Sequence, residues 1–207
     1  QELEGFSTFE MSVVMSAYFL GFLGASKLVP DLIRRVGHVR VFAALASFIS
    51  AILILYPLLV NPWVWTGGRV IIGFCFCGVY IAAESWLNNA ATNENRGQLL
   101  SAYMIVLYLG LAVGMLLLNV SEPKAYEPFI LVSVITSAAL IPILLTKKKP
   151  PTFKSIKAMK LRELYDASPF GMVSSLFYGT IQSALFTLLA VYATSMNFSI
   201  LEISIVT

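Results

Sequence analysis

The chain has 207 residues, 58% of them hydrophobic and 12% charged, with a mean hydropathy of +0.81 and a formal charge of +3. Soluble domains carry about 25% charged residues, so this composition excludes a soluble globular protein and points to an integral membrane protein. The small positive charge implies no nucleic-acid partner, because the basic residues are distributed with the connections between apolar runs.

A hydrocarbon core about 30 Å thick needs about 20 apolar residues of helix. Six stretches qualify or nearly so: about Met11 to Val29, Val41 to Val60, Val64 to Trp86, Leu99 to Leu118, Phe129 to Leu145 and Phe170 to Thr194. A seventh begins near Ile200. The fold class is therefore all-α, a polytopic membrane bundle. The first span has sixteen residues free of Asp, Glu, Lys and Arg between Glu10 and Lys27, so Lys27 has to extend its stem toward the headgroups.

Between the first two spans, the stretch from Lys27 to Arg40 holds Lys27, Arg34, Arg35 and Arg40. Charges at the bilayer centre are costly, so a loop in water is expected here, and short basic loops stay on the cytoplasmic side. His38, the one histidine, is expected to be solvated or at headgroup level. Every later span is oriented from this loop. Twelve of the fourteen basic residues then fall on the cytoplasmic side, Lys124 falls outside and Arg69 within a span. A segmentation shifted by one helix would destroy that contrast.

The third span carries most of the chemistry. Cys75 and Cys77, two apart on a helix, point about 200° away from each other; they cannot converge on a metal and read as small packing residues. Arg69, Gly73, Phe76, Tyr80 and Glu84 are spaced four, three, four and four, which places them within about 80° of one another on a single stripe. A cation, an acid, a glycine and two aromatics on one stripe describe a wall facing protein or water, and an ionisable residue inside a membrane is a functional candidate by default. The alternative is a structural ion pair or a snorkelling arginine. Arg69 and Glu84 lie about 22 Å apart along the helix and cannot pair with each other. The sixth span offers a similar stripe, Ser175, Tyr178, Gln182 and Phe186, suited either to lining a cavity or to helix packing.

Before that span, the connection from Lys147 to Ser168 carries seven basic residues, two prolines and a short amphipathic stretch from about Ile156 to Tyr165. It is expected to lie on the membrane surface against anionic lipid. The chain thus divides into 1–146, a basic cytoplasmic linker 147–168, and 169–207.

The two ends echo each other. Phe6-Ser7-Thr8-Phe9-Glu10-Met11-Ser12-Val13-Val14 and Phe198-Ser199-Ile200-Leu201-Glu202-Ile203-Ser204-Ile205-Val206 agree at five of nine positions, 192 residues apart. Each contains a Ser-x-x-Glu capping box, and six spans lie between them. That period is the mark of a transporter made of two parallel six-helix halves with the substrate path between them.

The segment Arg35-Val36-Gly37-His38-Val39-Arg40 resembles the cytoplasmic loop signature of the major facilitator superfamily. Gly67-Gly68-Arg69-Val70-Ile71-Ile72-Gly73 is similar to the arginine motif of that superfamily's fourth helix, and the run Asn95 to Met104 resembles its YcaD type, a group of bacterial inner-membrane members. The resemblance implies a chain running from helix two to the start of helix eight, with 1–146 as an N-terminal half lacking its first helix and 169–207 as the start of the C-terminal half. It implies a small-molecule substrate, membrane lipid as surroundings, and a cytoplasmic gate made of Asp31, Arg34, Arg35, Gly37, Arg40 and Glu84, with Glu84 meeting Arg34 or Arg35. Arg34 stands where family loops usually carry aspartate, and Asp31, one turn earlier, is in position to take that role. Gly110 and Gly114 lack the following Gly-Pro of many antiporters, so drug antiport is not implied.

Secondary transport by alternating access is the expected function, in the inner (plasma) membrane. A non-transporting sensor or scaffold on the same fold is the alternative. No Asp or Glu sits deep in any span, so a coupling proton requires Glu84, at the cytoplasmic end of its span, or an acid outside this chain. With one histidine, no phosphate loop and no ligand cluster, neither an enzyme nor a metal or organic cofactor is expected.

Overall fold

The structure is a computed structural model that describes residues 5–117, 119, 126–145, 161–196, 198 and 202. The seventh span near Ile200, the second cap at Ser199, Lys124 and most of the basic linker lie outside these. Among the described residues the regular structure is helical throughout: α1 (Thr8–Val36), α2 (His38–Leu58), α3 (Pro62–Ala90), α4 (Arg96–Leu117), α5 (Glu127–Leu144), α6 (Leu161–Ala167) and α7 (Pro169–Ser195). Helices α1 to α5 are long and apolar enough to cross a membrane, and α7, with 27 residues, covers the sixth predicted span. The chain is a multi-pass helical membrane protein.

Local chemistry explains where the helices begin. Ser7 caps α1: its hydroxyl accepts from the Glu10 amide at 3.2 Å, and the Glu10 carboxylate accepts from the Ser7 amide at 2.8 Å. This is the reciprocal capping box expected from the sequence. The Asn61 side chain accepts from the amides of Trp63 and Val64 at 2.9 and 3.3 Å, and Pro62, which has no amide hydrogen to satisfy, opens α3.

The basic loop is the main departure. α1 continues through Pro30 to Val36 and α2 starts at His38, so between Lys27 and Arg40 Gly37 alone is not helical. Arg34 and Arg35 occupy the last turn of α1, where cations favour the carbonyl end of the helix dipole. The charges therefore extend a helix beyond the apolar layer instead of forming a loop. Gly37 makes the corner with φ 88° and ψ 159°, a region open essentially to glycine alone, and its amide donates to the Ile33 carbonyl at 2.8 Å. No atom lies within 4 Å of a Cβ built there, so the cost of Gly37→Ala is conformational. We expect it to destabilise the fold by about 1–3 kcal/mol, read as a lower unfolding midpoint in detergent; an unchanged midpoint would contradict the strained corner.

The described chain forms two compact units. In the first, Gln1–Met104 with Pro123–Lys154, α1 and α3 run parallel in close contact. Gly21 lies against the Val70 carbonyl, Gly73 against the Tyr18 carbonyl and Gly78 against Val29 and Leu45. Ala17, Gly21 and Ala25, each four residues from the next, are buried along the α1 side of this seam. Between helices in lipid, association depends on packing and hydrogen bonds because the tails are as apolar as leucine; small residues let the backbones approach. Cys75 and Cys77 are both buried in this core, as packing residues should be.

Helix α2 is joined to α5 by hydroxyls: Ser50 Oγ lies 2.7 Å from Ser133 Oγ and 2.9 Å from Ser137 Oγ, and Ser133 Oγ donates to the Ser50 carbonyl at 3.1 Å. The second unit, Ile105–Glu122 with Ser155–Thr207, holds the later part of α4 together with α6 and α7. Ser168 separates the last two helices and accepts the Gly171 amide at 3.3 Å. The described part of the predicted surface helix begins at Leu161; residues 156–160 lie outside it.

Candidate functional site

The close approach of α1 and α3 brings residues from α1 to the predicted stripe. Arg69 is half-buried, and its Nη2 lies 3.8 Å from the Met15 sulfur. Next along α3, Gly73 is buried against the backbone of Tyr18. The rings of Phe76 and Tyr80 follow, centroids 6.4 Å apart and tilted by 36°. Glu84 is exposed and accepts from the Tyr103 hydroxyl at 3.5 Å, a long and weak bond. The five predicted residues share one side of α3, and Met15, Tyr18 and Tyr103 join them from α1 and α4.

These three additions could not be found by helical spacing. Periodicity reports which residues of one helix share a face, but not which face of another helix comes opposite. The glycines were the available signal: Gly21 and Gly73 mark where the two backbones meet, and Tyr18 is fixed by that contact.

At the gate positions, Arg34 Nη2 pairs with Asp31 Oδ1 at 3.0 Å, both side chains about half exposed. Arg35 and Arg40 are exposed, and Gly37 forms the corner already described. Among these gate residues, Arg34 pairs with Asp31, and Glu84 meets Tyr103 rather than Arg34 or Arg35 in this structure.

His38 is not at the surface as expected. It is 1% exposed, with Nε2 3.1 Å from Ser85 Oγ and its ring 6.2 Å from that of Trp86. The turn at Gly37 folds the start of α2 over the last turns of α3, which removes the imidazole from water. Because the Ser85 hydroxyl donates to the Ala82 carbonyl at 3.2 Å, the His38 Nε2–H is left to donate to Ser85. His38 thus ties the basic corner to the residue next to Glu84.

In the second unit, Ser175 and Tyr178 are exposed on α7 and Gln182 is half-buried; the Phe186 side chain lies outside the described residues. The Tyr178 hydroxyl is 3.4 Å from that of Tyr108 on α4, so Tyr108 joins this stripe as another residue that spacing within one helix could not reveal.

Chemically, the α3 stripe offers a cation, phenol hydroxyls, aromatic faces and an acid, but no arrangement of nucleophile and base. Among the described residues no group of three or more His, Cys, Asp or Glu could hold a metal ion. The fold and these stripes define a polytopic membrane protein that gathers its polar side chains on particular helix faces and keeps lipid-like side chains elsewhere.

The chain belongs to the Major Facilitator Superfamily, whose family model matches residues 3–207. This is a family of transporters, not of enzymes. Over 196 residues the chain is 32% identical to the "Uncharacterized MFS-type transporter YcaD" of Escherichia coli O139:H28 (strain E24377A / ETEC), covering 91% of this chain and 50% of that protein. The protein of the same description from Shigella sonnei (strain Ss046) gives the same figures. That from Escherichia coli O6:K15:H31 (strain 536 / UPEC) is 30% identical over 193 residues, with 91% and 50% coverage. The chain spans about half the length of these curated relatives. No solved structure matches it significantly.

Proposed function

We propose that the chain is part of a secondary transporter that moves a small solute by alternating access, one helical bundle rocking against another around a central polar route. The observation that carries this reading is the α3 stripe from Arg69 to Glu84, because a cation within a span is costly in lipid and useful beside a solute. Arg69, Gly73, Phe76 and Tyr80 are the solute-contacting residues of the first unit, and Ser175, Tyr178, Gln182 and Phe186 are those of the second. Arg69 holds an anionic group of the solute or a residue of another helix. The organisation proposed is an N-terminal half in 1–146, a cytoplasmic basic linker in 147–168 and the start of a second half in 169–207, within the inner (plasma) membrane.

Asp31, Arg34, Arg35, Gly37, Arg40 and Glu84 form the cytoplasmic gate. In one state Glu84 pairs with Arg34 or Arg35, and in the other it turns to Tyr103 while Arg34 keeps Asp31. Glu84 is also the acid in this chain placed to carry a coupling proton. Glu84→Gln in the full-length transporter is expected to shift the inward/outward ratio by about five- to 150-fold, the range of ordinary coupling energies. Spin-label distances between the bundles measure that ratio. An unchanged ratio together with unchanged uptake would remove Glu84 from the gate.

The function itself is tested by reconstituting the full-length protein in liposomes and screening small solutes for electrogenic or isotopic flux. Saturable flux that depends on Arg69 supports transport. Solute binding with no flux across the panel would favour a sensor on the same fold.

A further inference from the structure

We propose that a groove formed by α1, α2 and α3 binds an anionic phospholipid of the bilayer, with one acyl chain along the groove and the phosphate on Arg40. The groove encloses about 420 Å³ and lies wholly within the first unit. Its floor includes Val41, Leu45 and Cys75, all buried, and its walls include Leu32, Phe48 and Ile71, all exposed. Every lining side chain except Arg40 is apolar. On α2 the lining residues from Arg40 to Phe48 share one face and run about 12 Å along the helix. Arg40 stands at one end, in the first turn of α2, where the chain turns at Gly37.

The occupant follows from this distribution of charge. A polar solute has nothing to bond along an apolar trough, and a plain hydrocarbon would leave the cation unanswered. Arg40 is exposed, and the nearby acid Asp31 is paired with Arg34. One molecule that carries an anion at headgroup level and an alkyl chain below it satisfies both ends. A basic residue close to the membrane surface favours anionic over zwitterionic lipid by about fivefold. The groove faces away from the Arg69 to Glu84 stripe, since Ile71 points about 200° around α3 from Arg69; it shares only Arg40 with the proposed gate, and the proposal does not rest on the transport reading.

The test uses the full-length protein in nanodiscs with trace phosphatidylglycerol or phosphatidylcholine carrying a diazirine on one acyl chain. After photolysis, cross-links are mapped by peptide mass spectrometry. The expected result is labelling around Leu32, Phe48 and Ile71, about fivefold stronger with phosphatidylglycerol. Arg40→Gln should abolish the preference while Arg40→Lys keeps it, and Ala44→Trp, which fills the trough, should remove labelling by both lipids. If Ala44→Trp fails to fold, the two Arg40 variants decide, since that side chain is exposed. Equal labelling by the two lipids, a preference that survives Arg40→Gln, or an unlabelled groove covered by another helix would each overturn the proposal.

Discussion

Gly73→Val is expected to force α1 and α3 apart and to cost the fold more than any other single substitution on the stripe. A Cβ at this position collides with the Tyr18 carbonyl oxygen, and the contacting atom is backbone rather than the end of a flexible side chain. The neighbour cannot rotate away, so the helices must separate. Overpacking of a tight contact costs about 1–3 kcal/mol, occasionally more, and here the separation also withdraws Gly21 from Val70. The measurement is the unfolding midpoint of the purified protein in detergent. Gly67→Val provides the comparison on the same helix: no atom lies within 4 Å of its Cβ, so its midpoint should change little. Equal effects at the two positions would show that the seam does not depend on backbone contact.

The second large effect is expected at Arg69. Truncating it to alanine in the full-length transporter removes a cation that is half-buried with the Met15 sulfur as its recorded contact. A hydrogen bond to a charged group is worth about 1.5–3 kcal/mol, so the loss should raise the KM for an anionic solute by about 10- to 150-fold. Arg69→Lys should recover part of the loss, because charge remains while the planar, two-pronged geometry does not. Initial rates of uptake across a concentration series separate KM from the maximal rate. Retained kinetics in Arg69→Ala would place Arg69 outside the solute route.

Much of the architecture was legible because membrane insertion limits the options. Apolar runs longer than about 18 residues must be helices, and the predicted spans from Met11 to Leu145 fall within α1 to α5 apart from their end residues. The cap at Ser7 and the packing role of Cys75 and Cys77 were readable for a related reason: each depends on local chemistry or on uniformly apolar neighbours. The corner was harder. Lys27, Arg34, Arg35 and Arg40 marked departure from the hydrocarbon, but charge does not distinguish a loop from a helix that extends into water. Gly37, with a backbone conformation that glycine tolerates, concentrated the whole turn into one residue.

His38 shows the limit more sharply. Arg34, Arg35 and Arg40 flank it within four residues in sequence, yet its neighbours in space are Ser85 and Trp86. A residue beside a tight corner is buried by whatever the next helix folds onto, and sequence spacing carries no record of that. The same reason hid Tyr18, Tyr103 and Tyr108. Each reaches its stripe from another helix, whereas Phe76 and Tyr80 were visible from their interval of four on α3.

Whether that side of α3 borders water is decided most directly by thiol accessibility in the full-length transporter in sealed vesicles, with the native cysteines replaced. Tyr80→Cys and Ile71→Cys lie on opposite sides of the same helix, nine residues apart. A membrane-impermeant maleimide should label Tyr80→Cys from at least one aqueous face and leave Ile71→Cys unlabelled from both. Labelling at Ile71→Cys with none at Tyr80→Cys would contradict the account, because the charged and aromatic side of α3 would then face lipid.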